Sequence, residues 1–316
     1  MIDFRYHLVS LVAVFLAVAL GIVIGTTQLN EPILADIEKQ VSSLEQDKRA
    51  LEDQTQTLQA QVETSDAFET AVAPNLVGNS LADRRVLLVL TNEDVPNETV
   101  EGISTLVEEA GGTISGTVQL QPAYSDPSAA SSLQSYVTGS GRPPGIQLPE
   151  TNDTGRLVGS LMAQVLMIPP SGAAPADGAA VSSVLAGLTS LDVLSPDSDT
   201  VTPANYAVVL TAGAFTGADA AERNGPLVDL VSALDAAGSG AVVAGDAASA
   251  GENGLVGTIR ADPALSAAIS TVDNVDTVAG QVSTVLALGA ESEGTSGKYG
   301  TGEDTQPVPP VPAAAP

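Results

Sequence analysis

The hydrophobic pattern at the start of the chain predicts a helix that crosses a membrane. The 23 residues from Leu8 to Asn30 carry no charge, and the apolar core, Leu8 to Ile24, is 17 residues long. As an α-helix that core would measure roughly 26 Å, close to the ~30 Å of a bilayer's hydrocarbon region. A cleaved signal peptide is the alternative, but its apolar region is usually ~7–15 residues long and ends at small residues, whereas this one ends in IGTTQLN. We expect an uncleaved anchor over residues 1–30.

The charges that flank this segment predict its orientation. Arg5 and the α-amino group precede it, and Lys39 is the first basic residue after it. Because the cytoplasmic flank of a membrane helix usually carries the excess of Lys and Arg, the N-terminus is predicted to be cytoplasmic. The bulk of the chain would then lie on the extracytoplasmic side of the cell membrane, within the envelope.

Small residues within the anchor predict self-association. Ala13, Ala17, Gly21 and Gly25 are spaced four apart, and the last two form the G-x-x-x-G match GIVIG. Such a stripe lets two helix backbones approach closely in lipid. The alternative is that Ala and Gly are simply common in membrane helices.

A heptad pattern follows the anchor and predicts a coiled-coil stalk over residues 31–73. Two of the positions that would face a partner helix, Lys48 and Thr55, are polar and would help to fix register. The alternative is a single amphipathic helix folded back onto the next domain. A coiled coil would make the protein a homo-oligomer through its anchor and stalk. The apolar positions of the seam are Leu34, Ile37, Val41, Leu44, Leu51, Leu58 and Val62.

Beyond residue 84 the pattern alternates between short apolar runs and helical periodicity. Strands are predicted at RRVLLVLTN, TISGTVQL, DVLS, NYAVVLTAG and AVVAGD. Helices are predicted at NETVEGISTLVEEAGG, RLVGSLMAQVLMI, AVSSVLAGLTSL, PLVDLVSALDAAGSG and VDTVAGQVSTVLALGAE. The fold class is therefore α/β, with an open, doubly wound, Rossmann-like domain over residues 84–290 and a parallel first strand pair. We expect a long loop over residues 121–155 and a disordered Pro- and Ala-rich tail over residues 291–316.

The acidic balance of the chain excludes some classes of partner. Lys and Arg number 11 and Asp and Glu number 38, which gives a net charge of −27. Such a charge repels nucleic acid and anionic lipid, so we expect no nucleic-acid partner. Cations would be attracted weakly over the whole surface.

Most residue types that carry enzymatic chemistry are missing. The sequence has no Cys and a single His, His7, at the margin of the anchor. It therefore offers no Cys/His zinc site, no thiol nucleophile and no Ser-His-Asp triad outside the membrane. The turn after the first strand, TNEDVPNET, is acidic and lacks the G-x-G-x-x-G of a dinucleotide site. We expect neither enzymatic activity nor a cofactor.

Three aspartates are candidate metal ligands. Asp246 follows a predicted strand, at the sheet edge where ligands of open α/β sheets bind. Asp273 and Asp276 lie in STVDNVDT, just before a predicted helix, and such oxygen ligands could hold Mg²⁺ or Ca²⁺. The alternative is that Asp276 or Thr277 caps that helix.

Ligands for a soft metal ion are scarce. Cu(I) prefers thiolate and thioether groups, and beyond Met1 the only such groups belong to Met162 and Met167. Because these two residues are five apart, a helix would point them to different faces. Both are expected to pack in the core.

Two blocks of sequence resemble a known family. The N-terminal MIDFRYHLVSLVAVFLAVALGIVIGTTQLN and the closing STVDNVDTVAGQVSTVLALG with GKYGTG are similar to the actinobacterial copper-transport protein B family, MctB. The resemblance implies copper homeostasis by export, with copper as a possible transported ion, and a pore-forming role in the outer envelope. An outer-membrane location is implied only by this resemblance, and no copper-ligating residue is carried over from it.

Two functions from different classes are consistent with these features. The first is a membrane-anchored component of copper homeostasis or export. It would be oligomeric through its anchor and stalk and could form part of a channel. The second is an anchored coiled-coil protein that has a structural or interaction role in the envelope, without transport activity. Copper content in cells that lack the protein would distinguish them.

Overall fold

The N-terminal part of the chain is one long helix. A computed structural model describes residues 4–139, 142–198 and 200–310, and the chain divides into two units, residues 1–65 and 66–316. Helix α1 spans Phe4–Val77 and contains the predicted anchor and stalk. The N-terminal unit is therefore helical over its described residues, as the hydrophobic pattern predicts.

Helix α1 ends later than the sequence indicates. We expected the helical pattern to stop before Pro74, but the helix continues through this residue to Val77. A proline inside a helix costs about 3 kcal/mol because it removes a hydrogen bond and crowds the preceding turn. Here Ala73 and Val77 are buried in the core of the second unit, and their packing offsets that cost. Asn79, with a φ of +62°, then reverses the chain.

The second unit is built on one mixed β-sheet. In the described residues it has seven strands in the order β3-β2-β1-β4-β5-β6-β7. Only β2 and β3 pair antiparallel, and the predicted parallel pairing of β1 with β2 is confirmed. The strands are β1 Arg85–Leu90, β2 Thr113–Leu120, β3 Leu194–Pro196, β4 Tyr206–Thr211, β5 Ala241–Gly245, β6 Ser270–Val272 and β7 Lys298–Tyr299.

Helices cover both faces of this sheet. Along β1, Val86 and Leu88 face one apolar cluster and Leu87 and Val89 face another, because successive side chains of a strand point to opposite faces. The first cluster includes α2, α9 and the end of α1, and the second includes α3 to α7. The helices after α1 are α2 Asn97–Glu109, α3 Ala130–Thr138, α4 Thr154–Leu166, α5 Gly178–Ser190, α6 Ala220–Ala237, α7 Leu255–Ala261, α8 Pro263–Ala268 and α9 Val278–Ser292.

The segment 121–155 is more regular than its composition suggests. It was expected to be a long loop, but it contains two 3₁₀ turns, Pro122–Tyr124 and Pro127–Ala129, and helix α3. Leu133 and Val137 of α3 are buried in the core. This burial stabilises a helix whose Pro- and Ser-rich surroundings resemble a loop in sequence.

The structure also differs from the prediction of a disordered tail from residue 291. Strand β7 pairs with β6 in parallel, and the side chain of Tyr299 is 1% exposed. The next residues cross the carboxylate of Asp273, which accepts hydrogen bonds from the backbone N–H groups of Thr301 (2.7 Å) and Gly302 (3.1 Å). Residues 298–302 are therefore part of the folded domain.

Gly300 is required for this crossing. Its φ is +128°, a conformation that residues with a Cβ rarely adopt, and a Cβ at this position would overlap the carboxylate of Asp273. Glycine is the residue that permits both the backbone angle and the close approach. The central glycine of GKYGTG therefore has a packing explanation.

We expect Gly300→Ala to lower the free energy of unfolding by about 3 kcal/mol or more, because strain and steric overlap add. Differential scanning calorimetry of the full-length protein in detergent measures the change as a lower melting temperature. Gly294→Ala is the matched control, since Gly294 has a φ of +74° but open space around it, and it should cost only about 1–2 kcal/mol. Equal shifts for the two variants would contradict this explanation.

Candidate functional site

The predicted anchor is an exposed apolar segment of α1. Tyr6–Gly25 is long and apolar enough to cross a membrane, and none of it is buried. The small residues Ala13, Ala17 and Gly21 are exposed, and a Cβ built on Gly21 or Gly25 would meet nothing within 4 Å. The stripe is thus open along its length within the single chain. Self-association through it stays a prediction.

The predicted seam of the stalk is a row of exposed apolar side chains. The side chain of Leu34 lies outside the described residues. The other six have relative exposures between 49% and 70%, so the N-terminal unit leaves them in contact with solvent. They are Ile37, Val41, Leu44, Leu51, Leu58 and Val62.

Polar groups near the seam are satisfied within the helix itself. Lys48 pairs with Glu52 at 3.4 Å, one turn further along. The hydroxyl of Thr55 donates to the carbonyl of Leu51 at 2.8 Å, so it needs no partner from another chain. Exposed ion pairs of this kind stabilise a helix by only a few tenths of a kcal/mol. Burial of the seam's apolar residues would therefore contribute more free energy to helix association than these charges do.

Asp273, a predicted metal ligand, is held by protein donors. It is 1% exposed, and its Oδ2 accepts a hydrogen bond from the guanidinium of Arg260 at 2.6 Å. The same guanidinium donates to the hydroxyl of Thr271 and to the carbonyl of Tyr299, both at 2.9 Å. With the N–H donors of the loop after β7, these contacts occupy both carboxylate oxygens. The geometry is that of a structural ion pair that joins α7, β6 and β7.

Asp246 also has a structural role. Its Oδ1 accepts hydrogen bonds from the N–H groups of Gly213 and Ser249, both at 2.9 Å. The first bond ties the end of β5 to the loop after β4, and the second caps the 3₁₀ turn Ala247–Ala250. Asp246 thus connects two strand ends.

The third candidate, Asp276, is exposed. The helix cap predicted as its alternative is confirmed for Thr277, whose hydroxyl accepts a hydrogen bond from the N–H of Gly280 at 3.1 Å. In the described part of the chain, no group of three or more His, Asp or Glu side chains is placed to hold a metal ion. The structure therefore does not bring the three aspartates together as ligands.

The two internal methionines lie in the core, as the sequence predicts. Met162 is 0% exposed and Met167 is 1% exposed, and both belong to the cluster on the α4 face of the sheet. A thioether buried in this way packs as an apolar side chain.

A pair of acidic residues at the amino ends of β5 and β6 has no signal in the sequence pattern. Asp235 accepts a hydrogen bond from the N–H of Ala241 (3.0 Å), and Glu291 accepts one from the N–H of Ser270 (2.7 Å). Burial raises the pKa of both carboxyls, and the charge of Asp235 raises the pKa of Glu291 further. Each carboxylate fixes the start of a strand, at the cost of partial desolvation.

The fold and its exposed helix together define a class of protein. A membrane-length apolar helix at the N-terminus leads into a long helix and a mixed α/β domain, which is typical of a membrane-associated protein with a large water-exposed domain.

Comparison with known proteins identifies the family. A family model described as "Copper transport outer membrane protein, MctB" matches residues 1–310. Relatives named "Copper transporter MctB" from Mycobacterium tuberculosis and Mycobacterium bovis are 32% identical over 312 residues, which is 98% of this chain and 99% of theirs. The relative from Mycobacterium leprae is 33% identical over 316 residues, or 96% and 97% of the two chains. The chain belongs to the MctB family, as the two sequence blocks indicated.

The raised pKa of Glu291 predicts how stability depends on pH. A carboxyl whose pKa is raised in the folded state favours folding while protonated, so its contribution is full below its ordinary value of 4.5 and is lost as the pH rises through the folded value. We therefore expect Glu291→Gln to raise the melting temperature at pH 7 and to flatten its fall as the pH rises above the ordinary value of 4.5.

Calorimetry across this pH range measures both effects. Glutamine keeps an oxygen that can accept the hydrogen bond from Ser270. Glu293→Gln, at an exposed position in the same turn, is the control for loss of one negative charge. If the two variants had the same pH profile, burial of Glu291 would not be the cause.

Proposed function

We propose that the protein takes part in copper homeostasis by export, as a membrane-anchored component that works as an oligomer. The observation that carries this proposal is the family relationship, which extends over nearly the whole chain to proteins named copper transporters. The exposed apolar segment of α1 supports a place in the membrane. The positive charges before that segment, on Arg5 and the α-amino group, support an N-terminus in the cytoplasm and an extracytoplasmic α/β domain.

Oligomerisation is proposed to occur through the anchor and the stalk. In water, an exposed row of aliphatic side chains on a helix is stabilised by burial against a second helix, at about 25 cal/mol per Å² of apolar surface. In lipid, an open stripe of small residues permits close helix packing. Any pore would then be formed by assembled N-terminal helices.

The strand order of the α/β domain, which reverses between β1 and β4, supports an open, doubly wound, Rossmann-like arrangement.

The second candidate is an anchored coiled-coil protein with a structural or interaction role in the envelope. The observation that favours it concerns the side chains that could bind copper. Among the described residues, no cluster of metal-ligating side chains is available to copper, and both internal thioethers are buried in the core. In this case the α/β domain would bind envelope partners and copper would not be its cargo.

Deletion of the gene distinguishes these functions. We expect the deletion strain to accumulate copper and to grow less well at raised copper, with total cell copper measured by mass spectrometry. The full-length protein should restore normal copper content, and a copy that lacks residues 8–27 should not, because it has no anchor. Normal copper content and tolerance in the deletion strain would exclude the export role and leave the structural one.

Substitution in the stalk tests the oligomer. We expect the double variant Leu44→Asp and Leu51→Asp to dissociate the full-length protein, because it places charge in the apolar seam. The matched control is Gln46→Asp with Ala60→Asp, which adds the same residue type at exposed positions on the opposite side of the heptad. Light scattering in detergent measures the mass of each complex.

A shorter test uses a peptide of residues 28–80. Circular dichroism and analytical ultracentrifugation should find it helical and self-associated. A monomer at high micromolar concentration would exclude the coiled coil. If the peptide were monomeric but the full-length protein were not, the anchor alone would hold the oligomer together.

A further inference from the structure

A cavity of about 260 Å³ lies where the turn before α3 meets the first turns of α4 and the first half of α6. Its wall is mainly apolar, with Leu133 from α3, Val158 from α4 and Pro226 from α6. Sites for small molecules typically have volumes of ~300–1,000 Å³ and combine apolar walls with a few polar groups. The volume therefore suits a compact ligand with an apolar body.

Tyr124, one of the residues that line this cavity, has a buried hydroxyl without a partner in the described structure. The residue is 4% exposed. Burial, followed by the charge of Asp229, raises the pKa of Tyr124, so the group is a neutral O–H that can donate and accept. A buried hydroxyl left unpaired is unfavourable by about 1–3 kcal/mol. A ligand that supplies a polar group at the cavity would remove that penalty.

Three acidic side chains line the same cavity. They are Asp126 from the turn before α3, Asp153 at the start of α4 and Glu222 on α6. All three residues are exposed, so the acidic part of the wall faces solvent. An anion would be repelled at this entrance and a cation attracted.

The surrounding basic groups compensate this negative potential only in part. Asp229 is close behind the cavity, and its pKa is raised by burial and then by the charge of Asp153. Arg156 pairs with Asp229, with its Nε at 3.5 Å from the carboxylate, and its side chain is 66% exposed. Arg223 is near Asp126, and its guanidinium stacks on the ring of Phe215 at 4.7 Å. In this region four carboxylates are accompanied by two guanidinium groups.

We propose that this cavity is a binding site for a small organic ammonium ion with an apolar body. The apolar wall takes the body of the ligand. The ammonium group lies between Asp153 and Glu222, and the hydroxyl of Tyr124 accepts one of its hydrogen bonds. The site is separate from the anchor and the stalk, so it adds a ligand-binding role to the α/β domain beyond the proposed part in copper export.

The test uses 4-fluorophenethylamine as the probe and the full-length protein in nanodiscs of zwitterionic lipid. Fluorine NMR follows the line width of the probe as protein is added, and empty nanodiscs correct for partition into lipid. Saturable binding is expected for the amine and not for its neutral analogue 2-(4-fluorophenyl)ethanol. Equal binding of the two compounds, or no saturable binding of the amine up to millimolar concentration, would overturn the proposal.

Substitutions locate the site. Asp153→Asn should weaken binding by about fivefold, because it removes the attraction of an exposed carboxylate for the ammonium group. Asparagine still caps a helix well, so α4 keeps the cap in which Asp153 accepts a hydrogen bond from the N–H of Arg156. Ala130→Leu, which fills the cavity without a change of charge, should also abolish saturation. Unchanged affinity in both variants would refute the site.

Tyr124→Phe separates a ligand contact from mere packing. It removes only the unpartnered hydroxyl, so the fold is retained, and we expect affinity for the amine to fall about threefold to tenfold. Unchanged affinity would show that the hydroxyl does not touch the ligand and would overturn the proposed binding geometry. Glu109→Gln, at an exposed position on α2 on the other face of the sheet, is the charge control and should bind the probe as the wild type does.

Discussion

The rest of the molecule depends on the apolar surface that α1 presents at its N-terminal end. Between Tyr6 and Ile24 the large hydrophobic side chains are between 52% and 76% exposed, and no polar group interrupts them for more than one position. Burial of one such side chain is favourable by about 1.5–3 kcal/mol. Large exposed apolar surfaces mark sites of membrane or protein interaction, and lipid is the solvent that suits a segment of this length. Association of the chain with a membrane is consistent with this one constraint.

A second constraint acts inside the α/β domain, at the ion pair of Arg260 and Asp273. A buried carboxylate is tolerated only when its charge is paired and its lone pairs are used. Arg260 and the backbone donors of residues 301–302 meet both conditions. The ion pair therefore holds β7, a strand of two residues that has little pairing energy of its own, against the sheet. It also explains why the candidate metal ligand at this position is a structural residue.

How far the sequence predicts this fold depends on the range of the interactions. Helix α1 and strands β1, β4 and β5 each have a clear hydrophobic pattern within their own residues, and this local pattern suffices to predict them. By contrast, β6 is the three residues Ser270–Val272, and β7 is shorter still, so neither has a pattern of its own. Asp273 and its partner Thr301 are 28 residues apart, and only the folded chain brings them together. The same holds for the cavity beside Tyr124, whose carboxylates come from three separate segments.

The chemistry of copper explains why the α/β domain need not contain the copper site that its family name suggests. Carboxylates attract any divalent ion, and selectivity for Cu(I) requires thiolate, thioether or imidazole ligands. The described domain offers acidic groups in excess, while its thioethers at Met162 and Met167 are 0% and 1% exposed. A domain of this kind can raise the local concentration of cations, but neither of its buried thioethers is available to select Cu(I). If the protein moves copper, ligands outside this domain or on a partner would supply the selectivity, because the excess of carboxylates in the domain suits an organic cation better than a soft metal.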